Sequence, residues 1–219
     1  MNNSSLLEIY EILFKRFGPQ HWWPGESRLE IIVGAILTQN TNWKNVEKAI
    51  TNLKQAGLLD LEALHKIPAE ELAQHIRPAG YYNLKALRLK AFFTWLHTNY
   101  DGHLEALLQL PAESLREELL SVYGIGPETA DSILLYGLDK PVFVVDAYTA
   151  RITARHGLIT PPFGYDELRG LFESSLPRDV QLFNEFHALL VRLGKDFCRP
   201  KPLCRGCPLE HLPHEIEID

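Results

Sequence analysis

Asp146 follows directly on the apolar run Val142-Phe143-Val144-Val145. A carboxylate at the edge of a buried run either caps a helix or works as a functional group, because an uncompensated buried charge is costly. Both readings are open locally: Ala147-Tyr148-Thr149 through Ile152 has helical character, and aspartate is a favoured N-cap. Upstream, Gly124-Ile125-Gly126 leads into Pro127, a residue tolerated at the first helical position. Such a turn aims unpaired N–H groups and the positive end of a helix dipole at one point, which makes an anion seat; the plain alternative is a change of chain direction. An aromatic group comes early, with His21-Trp22-Trp23-Pro24 and then Trp43 beside Gln39, Asn40 and Asn42. Flat rings with neighbouring amides suit a pocket that stacks an extruded base and reads its edge, or else simply fill a core. Finally, all three cysteines fall within ten positions as Cys198-x5-Cys204-x2-Cys207, with His211 and His214 just beyond. Reduced thiols at this spacing suit an iron–sulfur or zinc site.

The elements that must position these groups are helical. Leu6, Tyr10, Leu13 and Phe14 mark one apolar face, and Leu29, Ile32, Val33, Ile36 and Leu37 another. The pattern continues from Val46 to Leu58 with Gly57 as a helix stop, and Pro68, Pro78 and Pro111 punctuate further amphipathic stretches. Val142 to Val145 has strand character but is short and solitary, so the fold class is all-α. With 219 residues and 46% hydrophobic content the chain has enough material for a packed core. No basic leader with an apolar run and no span of roughly 20 apolar residues is present, which reads as a cytoplasmic chain with no membrane partner. A formal charge of -6 argues against broad electrostatic capture of nucleic acid. The charge is nonetheless uneven. Glu215, Glu217 and Asp219 make an acidic tail, whereas Arg192, Lys195, Arg199, Lys201 and Arg205 form a basic run opposed only by Asp196.

These residues, taken in order, resemble the helix-hairpin-helix DNA glycosylases of the endonuclease III superfamily from Trp22 to Cys207. The segments GAILTQNTNWKNV, RPAGYYNLKALRLK, VYGIGPETA, VVDAYTARI and HALLVRLGKDFC carry the likeness. The WWP, LTQNT and GIGPETAD segments are most similar to the 3-methyladenine DNA glycosylase branch. The resemblance implies two helical domains flanking a DNA-binding cleft. One is a six-helix barrel over 25–136 that includes the hairpin, and the other combines 1–24 with 137–219 and carries the cysteine loop. It implies a monomer acting on double-stranded DNA with a damaged base, with Asp146 as the catalytic carboxylate. Trp22, Trp23, Pro24, Trp43, Gln39, Asn40 and Glu128 would form the base pocket, and Gly124, Ile125, Gly126, Thr129 and Lys85 would hold the DNA backbone. Gln39 and Asn40 are candidates to fill the gap left by the flipped base.

Two departures from the family pattern matter. Members that also cut the strand carry a hairpin lysine whose amine attacks the sugar, and the matching residue here is Glu128, which cannot form an imine. The implied reaction is hydrolysis of the N-glycosidic bond of an alkylated base such as 3-methyladenine, without strand cleavage. A glycosylase for oxidised or mismatched bases and a non-catalytic DNA-binding module are the alternatives. The family's cysteine pattern is Cys-x6-Cys-x2-Cys-x5-Cys. Here the first gap is one residue shorter and Pro213 holds the last position. A [4Fe-4S] cluster on Cys198, Cys204 and Cys207 would take its fourth ligand from His211, His214 or outside the protein, and a site without metal is the alternative. Lys85 and Arg88, three apart on one helix, either touch phosphate or line an exposed face, while Tyr81 and Tyr82 read as filling the barrel core or rim, and His187 as structural.

Overall fold

A computed structural model of the chain describes residues 6–216; Glu217 and Asp219 of the acidic tail lie outside the described residues. In chain order the helices are α1 (Leu6–Phe17), α2 (Arg28–Leu37), α3 (Trp43–Gln55), α4 (Leu61–Lys66), α5 (Ala69–His75), α6 (Tyr82–Tyr100), α7 (Ala112–Ser121), α8 (Pro127–Ser132), α9 (Ala147–Arg155), α10 (Tyr165–Ser175) and α11 (Val180–Asp196). The fold is all-α, and no strand occurs among the described residues. No helix among them is long and apolar enough to cross a membrane. The chain divides into two compact units, Trp23–Lys140 and Met1–Trp22 with Pro141–Asp219.

In the Trp23–Lys140 unit, α2 is the central helix. Ser27 caps it by accepting the Glu30 N–H at 3.2 Å, and Ile32, Val33, Ile36 and Leu37 are fully buried. Each such side chain removed from water contributes roughly 1.5–3 kcal/mol. Asn42 and Asp60 cap α3 and α4 in the same way, and Gly57 at φ +66° ends the α3 segment. Seven α-helical segments, α2 to α8, fall in this unit among the described residues, where the resemblance implies six. Pro68 separates α4 from α5 as the N-cap of α5. After α8 the chain makes a π-helical turn, Ile133–Gly137, pressed against α2. A Cβ on Gly137 would lie 2.9 Å from Ile32 Cγ1, so only glycine permits that approach.

In the other unit, Leu6, Ile9 and Leu13 of α1 and Phe183, Phe186, Leu189 and Leu193 of α11 are buried. Phe14, assigned to the buried face of α1 by its spacing, is 39% exposed and lies at the edge of that stripe. Phe143 stacks on Phe172 at 4.1 Å and meets Phe183 edge-on at 5.3 Å. Val142 to Val145 is buried yet has no strand partner; the Phe143 N–H is satisfied instead by Glu173 Oε1 at 2.9 Å. α9 lies close on α11 because Gly194 has no side chain: a Cβ there would stand 2.3 Å from Tyr148 Cδ1.

Candidate active site

The segment between α7 and α8 is a tight hairpin built on Gly124, whose φ of +81° suits glycine. A Cβ at Gly124 would sit 2.3 Å from Arg88 Cγ, so the position also needs the missing side chain for space. Ile125 anchors the turn with its side chain buried, while Gly126 enters α8 in extended conformation with Pro127 at the first helical position. A buried ion pair joins the flanking helices: Arg116 Nε on α7 meets Asp131 Oδ1 on α8 at 2.6 Å. The hairpin is thus held rigidly while the first-turn N–H groups of α8 have no intrahelical acceptor.

Gln39 braces this hairpin from the end of α2. Its Nε2 donates to Gly124 O at 2.9 Å and to Thr129 Oγ1 at 2.9 Å, and its Oε1 accepts from Arg88. Both Nε2 hydrogens are committed to the hairpin and Oε1 holds Arg88, which leaves the amide one oxygen lone pair and no donor for a base. Thr129 turns its side chain inward to the same bond and is buried, so only its backbone could meet phosphate. Lys85 is a correction. It is fully buried, with Nζ donating to Leu37 O at 2.8 Å and Ala79 O at 2.7 Å. Burial, helped by nearby Arg88, pushes its pKa down to about 8. Such a side chain closes the C-terminal end of α2 and does not reach DNA. Tyr81 is not a core residue either: it is 70% exposed with φ +46°.

Trp23 meets Trp43 edge-on at 5.1 Å and Tyr136 at 5.1 Å. Gly34 lies beneath them, with the site of its absent Cβ 3.3 Å from Trp23 Nε1 and 3.5 Å from the Trp43 ring. The Trp43 indole N–H is shut away from solvent without a hydrogen-bond partner among the described residues. Pro24, Asn40 and Glu128 are exposed, Asn40 at φ +53° and Glu128 in the first turn of α8. Trp22 belongs to the other unit, where Lys195 Nζ lies 5.9 Å over its ring.

Asp146 is the N-cap of α9. Its Oδ1 accepts from the Thr149 N–H at 2.8 Å and from the Thr149 hydroxyl at 2.9 Å. Its Oδ2 faces His187 Nε2 of α11 at 3.7 Å, an ion-pair separation and not a hydrogen bond. Burial pushes the carboxyl pKa up, but His187 and the two Thr149 donors outweigh it and hold the group below its ordinary value. The site therefore presents an ionised carboxylate with one oxygen fixed and the other beside an imidazole. His187 is structural in the sense that it packs in the core, yet its ring is also the neighbour of Asp146.

Cys198, Cys204 and Cys207 are half-buried and line one cavity together with Arg155, His156, Glu210 and His214. Burial, together with the other two cysteines, pushes the Cys207 thiol up. Arg155 NH1 lies 3.4 Å from Cys198 Sγ and bonds Arg199 O at 2.7 Å, while Arg151 Nε bonds Cys198 O at 2.7 Å. Among the described residues no three His, Cys, Asp or Glu side chains gather closely enough for one ion. His211 is exposed and stands outside this lining. The sequence reading missed Gly34, Arg155 and His156. Only Gly34 had a local signal, as a glycine inside a helical pattern.

A family model described as HhH-GPD superfamily base excision DNA repair protein matches residues 33–178. The chain is 50% identical over 209 residues to a Methanocaldococcus jannaschii protein named "Putative DNA repair glycosylase MJ1434", covering 94% of each. It is 30% identical over 208 residues to "Endonuclease III" of Thermotoga maritima, covering 93% of this chain and 90% of that one. Among solved structures, the H. pylori 3-methyladenine DNA glycosylase MagIII bound to 1,N6-ethenoadenine is similar with a TM-score of 0.77 and 31% identity. That match covers 88% of this chain and 98% of the other.

Proposed function

The chain belongs to the HhH-GPD superfamily of base excision DNA repair proteins and is a DNA glycosylase; we propose that it hydrolyses the N-glycosidic bond of an alkylated, 3-methyladenine-like base and leaves the strand uncut. The observation that carries this reading is the carboxylate at Glu128, where strand-cutting relatives need an amine; within its own unit Asp146 is held as a carboxylate below its ordinary pKa. As the base departs, positive charge grows on the sugar, and an anionic Asp146 stabilises it or takes a proton from the attacking water. A fixed Oδ1 and a preset charge mean that little reorganisation is needed at that moment.

The aromatic group supports the choice of lesion. A cationic alkylated base over the Trp23 or Trp43 ring gains roughly 0.5–2 kcal/mol over a neutral one. The likeness to the H. pylori enzyme agrees with a purine lesion. The rest of the selectivity comes from the weak bond to a cationic base and its easy extrusion. The Gly124-Ile125-Gly126 turn holds the DNA backbone through main-chain N–H groups at the start of α8, with the Ile125 N–H itself spent inside the turn on Val122 O at 3.1 Å. Asn40 stays a candidate to fill the vacated stack.

The cysteine loop fits a [4Fe-4S] cluster. Three thiols stand around the wall of one cavity, and the Arg155 guanidinium beside Cys198 Sγ offsets thiolate charge. When bound, the cluster supplies a structural cross-link that presents the exposed Arg199, Lys201 and Arg205 to phosphate. The test of the main reading is a base-release assay on methylated duplex DNA. Wild type is expected to free 3-methyladenine, Asp146→Asn to free none while still binding DNA, and neither to be trapped by borohydride. Release of oxidised or mismatched bases instead, across a panel of lesion duplexes, would overturn the alkylation reading.

A further inference from the structure

We propose that His214 is the fourth protein ligand of the cysteine-loop cluster, binding iron through Nε2; this rests on the reading of that loop as a cluster site. The loop has three cysteines, and the position where a fourth would stand is Pro213, which has no side-chain donor. The next residue, His214, lines the same cavity as Cys198, Cys204 and Cys207. Its Nδ1 stands 2.8 Å from the Leu212 carbonyl. A ring held in this way carries its proton on Nδ1 and leaves Nε2 as a lone-pair donor, which is how metal-binding histidines are oriented. The imidazole also reaches farther than a cysteine side chain, which suits a ligand displaced by one position along the backbone.

The neighbouring groups have other work. His211 is exposed and absent from the cavity wall. Glu210 accepts the Gly206 N–H at 2.8 Å. His156 lies on the wall, but its Nδ1 contacts Pro213 O at 3.0 Å and its ring is 5.6 Å from that of His214. Its Nε2 is left as a lone-pair donor in the same way, so the ring orientation alone does not separate the two; His214 is preferred because it stands next to Pro213, the position where the fourth cysteine would be, and His156 braces that segment. Three thiols and one imidazole on one cavity wall make the ligand number that a [4Fe-4S] core takes.

The experiment is anaerobic purification of the full chain, with iron and sulfide measured and the reduced cluster studied by pulsed EPR for nitrogen hyperfine coupling. Wild type is expected to carry four irons and a histidine nitrogen coupling. His214→Cys should keep four irons and lose the coupling; His214→Ala should convert to a three-iron signal on mild oxidation. His211→Ala and His156→Phe should match wild type. Iron and sulfide at background in wild type would overturn the cluster reading and the ligand with it. A four-iron wild type whose nitrogen coupling survives His214→Cys, or disappears in His156→Phe or His211→Ala, would leave the cluster standing and remove His214.

Discussion

Arg116 on α7 and Asp131 on α8 form a two-pronged buried ion pair, Nε to Oδ1 at 2.6 Å and NH2 to Oδ2 at 3.3 Å. The side chains are 9% and 0% exposed, so neither charge can fall back on water if the other is removed. Arg116→Ala is expected to cost about 3–5 kcal/mol, because it removes the opposite charge and two hydrogen bonds from a fully buried carboxylate. Arg116→Met combined with Asp131→Leu should recover most of that loss. Urea unfolding measures both, and a double variant no better than the single would show that packing and not charge ties the hairpin.

Gln39 sets the shape of the hairpin from outside it. Gln39→Leu keeps the volume but removes the bonds to Gly124 O and Thr129 Oγ1, a loss of about 1–1.5 kcal/mol for each unsatisfied partner. Duplex DNA should bind about tenfold more weakly, with base release on saturating DNA much less affected. Fluorescence anisotropy against undamaged duplex reads this directly; an unchanged Kd would remove Gln39 from the backbone grip.

On the proposed reading Asp146 acts as an anion, and its pKa is held below the ordinary 3.8. Base release should stay level as pH falls from neutrality through the ordinary carboxylate range, and decline only below it. A carboxyl depressed in the folded state also contributes stability that is present above its unfolded pKa and is lost as pH falls through the folded value. Thr149→Val removes the hydroxyl donor at 2.9 Å and keeps the N–H, so the acid limb of kcat/KM should move upward. An acid limb identical in both proteins would mean that another group controls it.

Lys85→Ala separates a structural lysine from a DNA contact. Loss of the buried stem and of two carbonyl partners should cost about 2–4 kcal/mol. The salt dependence of DNA binding should not change, since no phosphate contact is removed. With its folded pKa at about 8 and the unfolded value near 10.5, the unfolded chain holds the proton between those values, so wild-type stability should gain with rising pH across that window. The variant should lack this gain in urea titrations at pH 8 and pH 10.

Local rules made much of the fold legible. Asp146 is an N-cap, Gly57 stops a helix and Pro68 starts one, each through a group within a few residues of its target; Ser27, Asn42 and Asp60 cap by the same rule but are not singled out by the sequence reading. The open choice at Asp146 between cap and functional carboxylate was no contradiction, because the cap uses Oδ1 and leaves Oδ2. What spacing could not reveal are contacts fixed only by packing. Lys85 finds Leu37 O across 48 positions and Gln39 finds Gly124 O across 85. A lysine three residues before an arginine on a helix looks like a solvent face until the opposing carbonyls are known. His156 joins the cysteine cavity from the end of α9, far outside the window in which the cysteines are counted.

Helix α9 has two clients. Its first residue follows Asp146, and two of its arginines grip the cysteine loop, Arg151 on Cys198 O and Arg155 on Arg199 O and Pro200 O. For protein engineering this means that the loop is not a portable cassette. A graft that moves only Cys198 through Cys207 into another scaffold leaves its carbonyls without their guanidinium partners. A graft that brings the arginines along must also bring the helix that starts at the carboxylate.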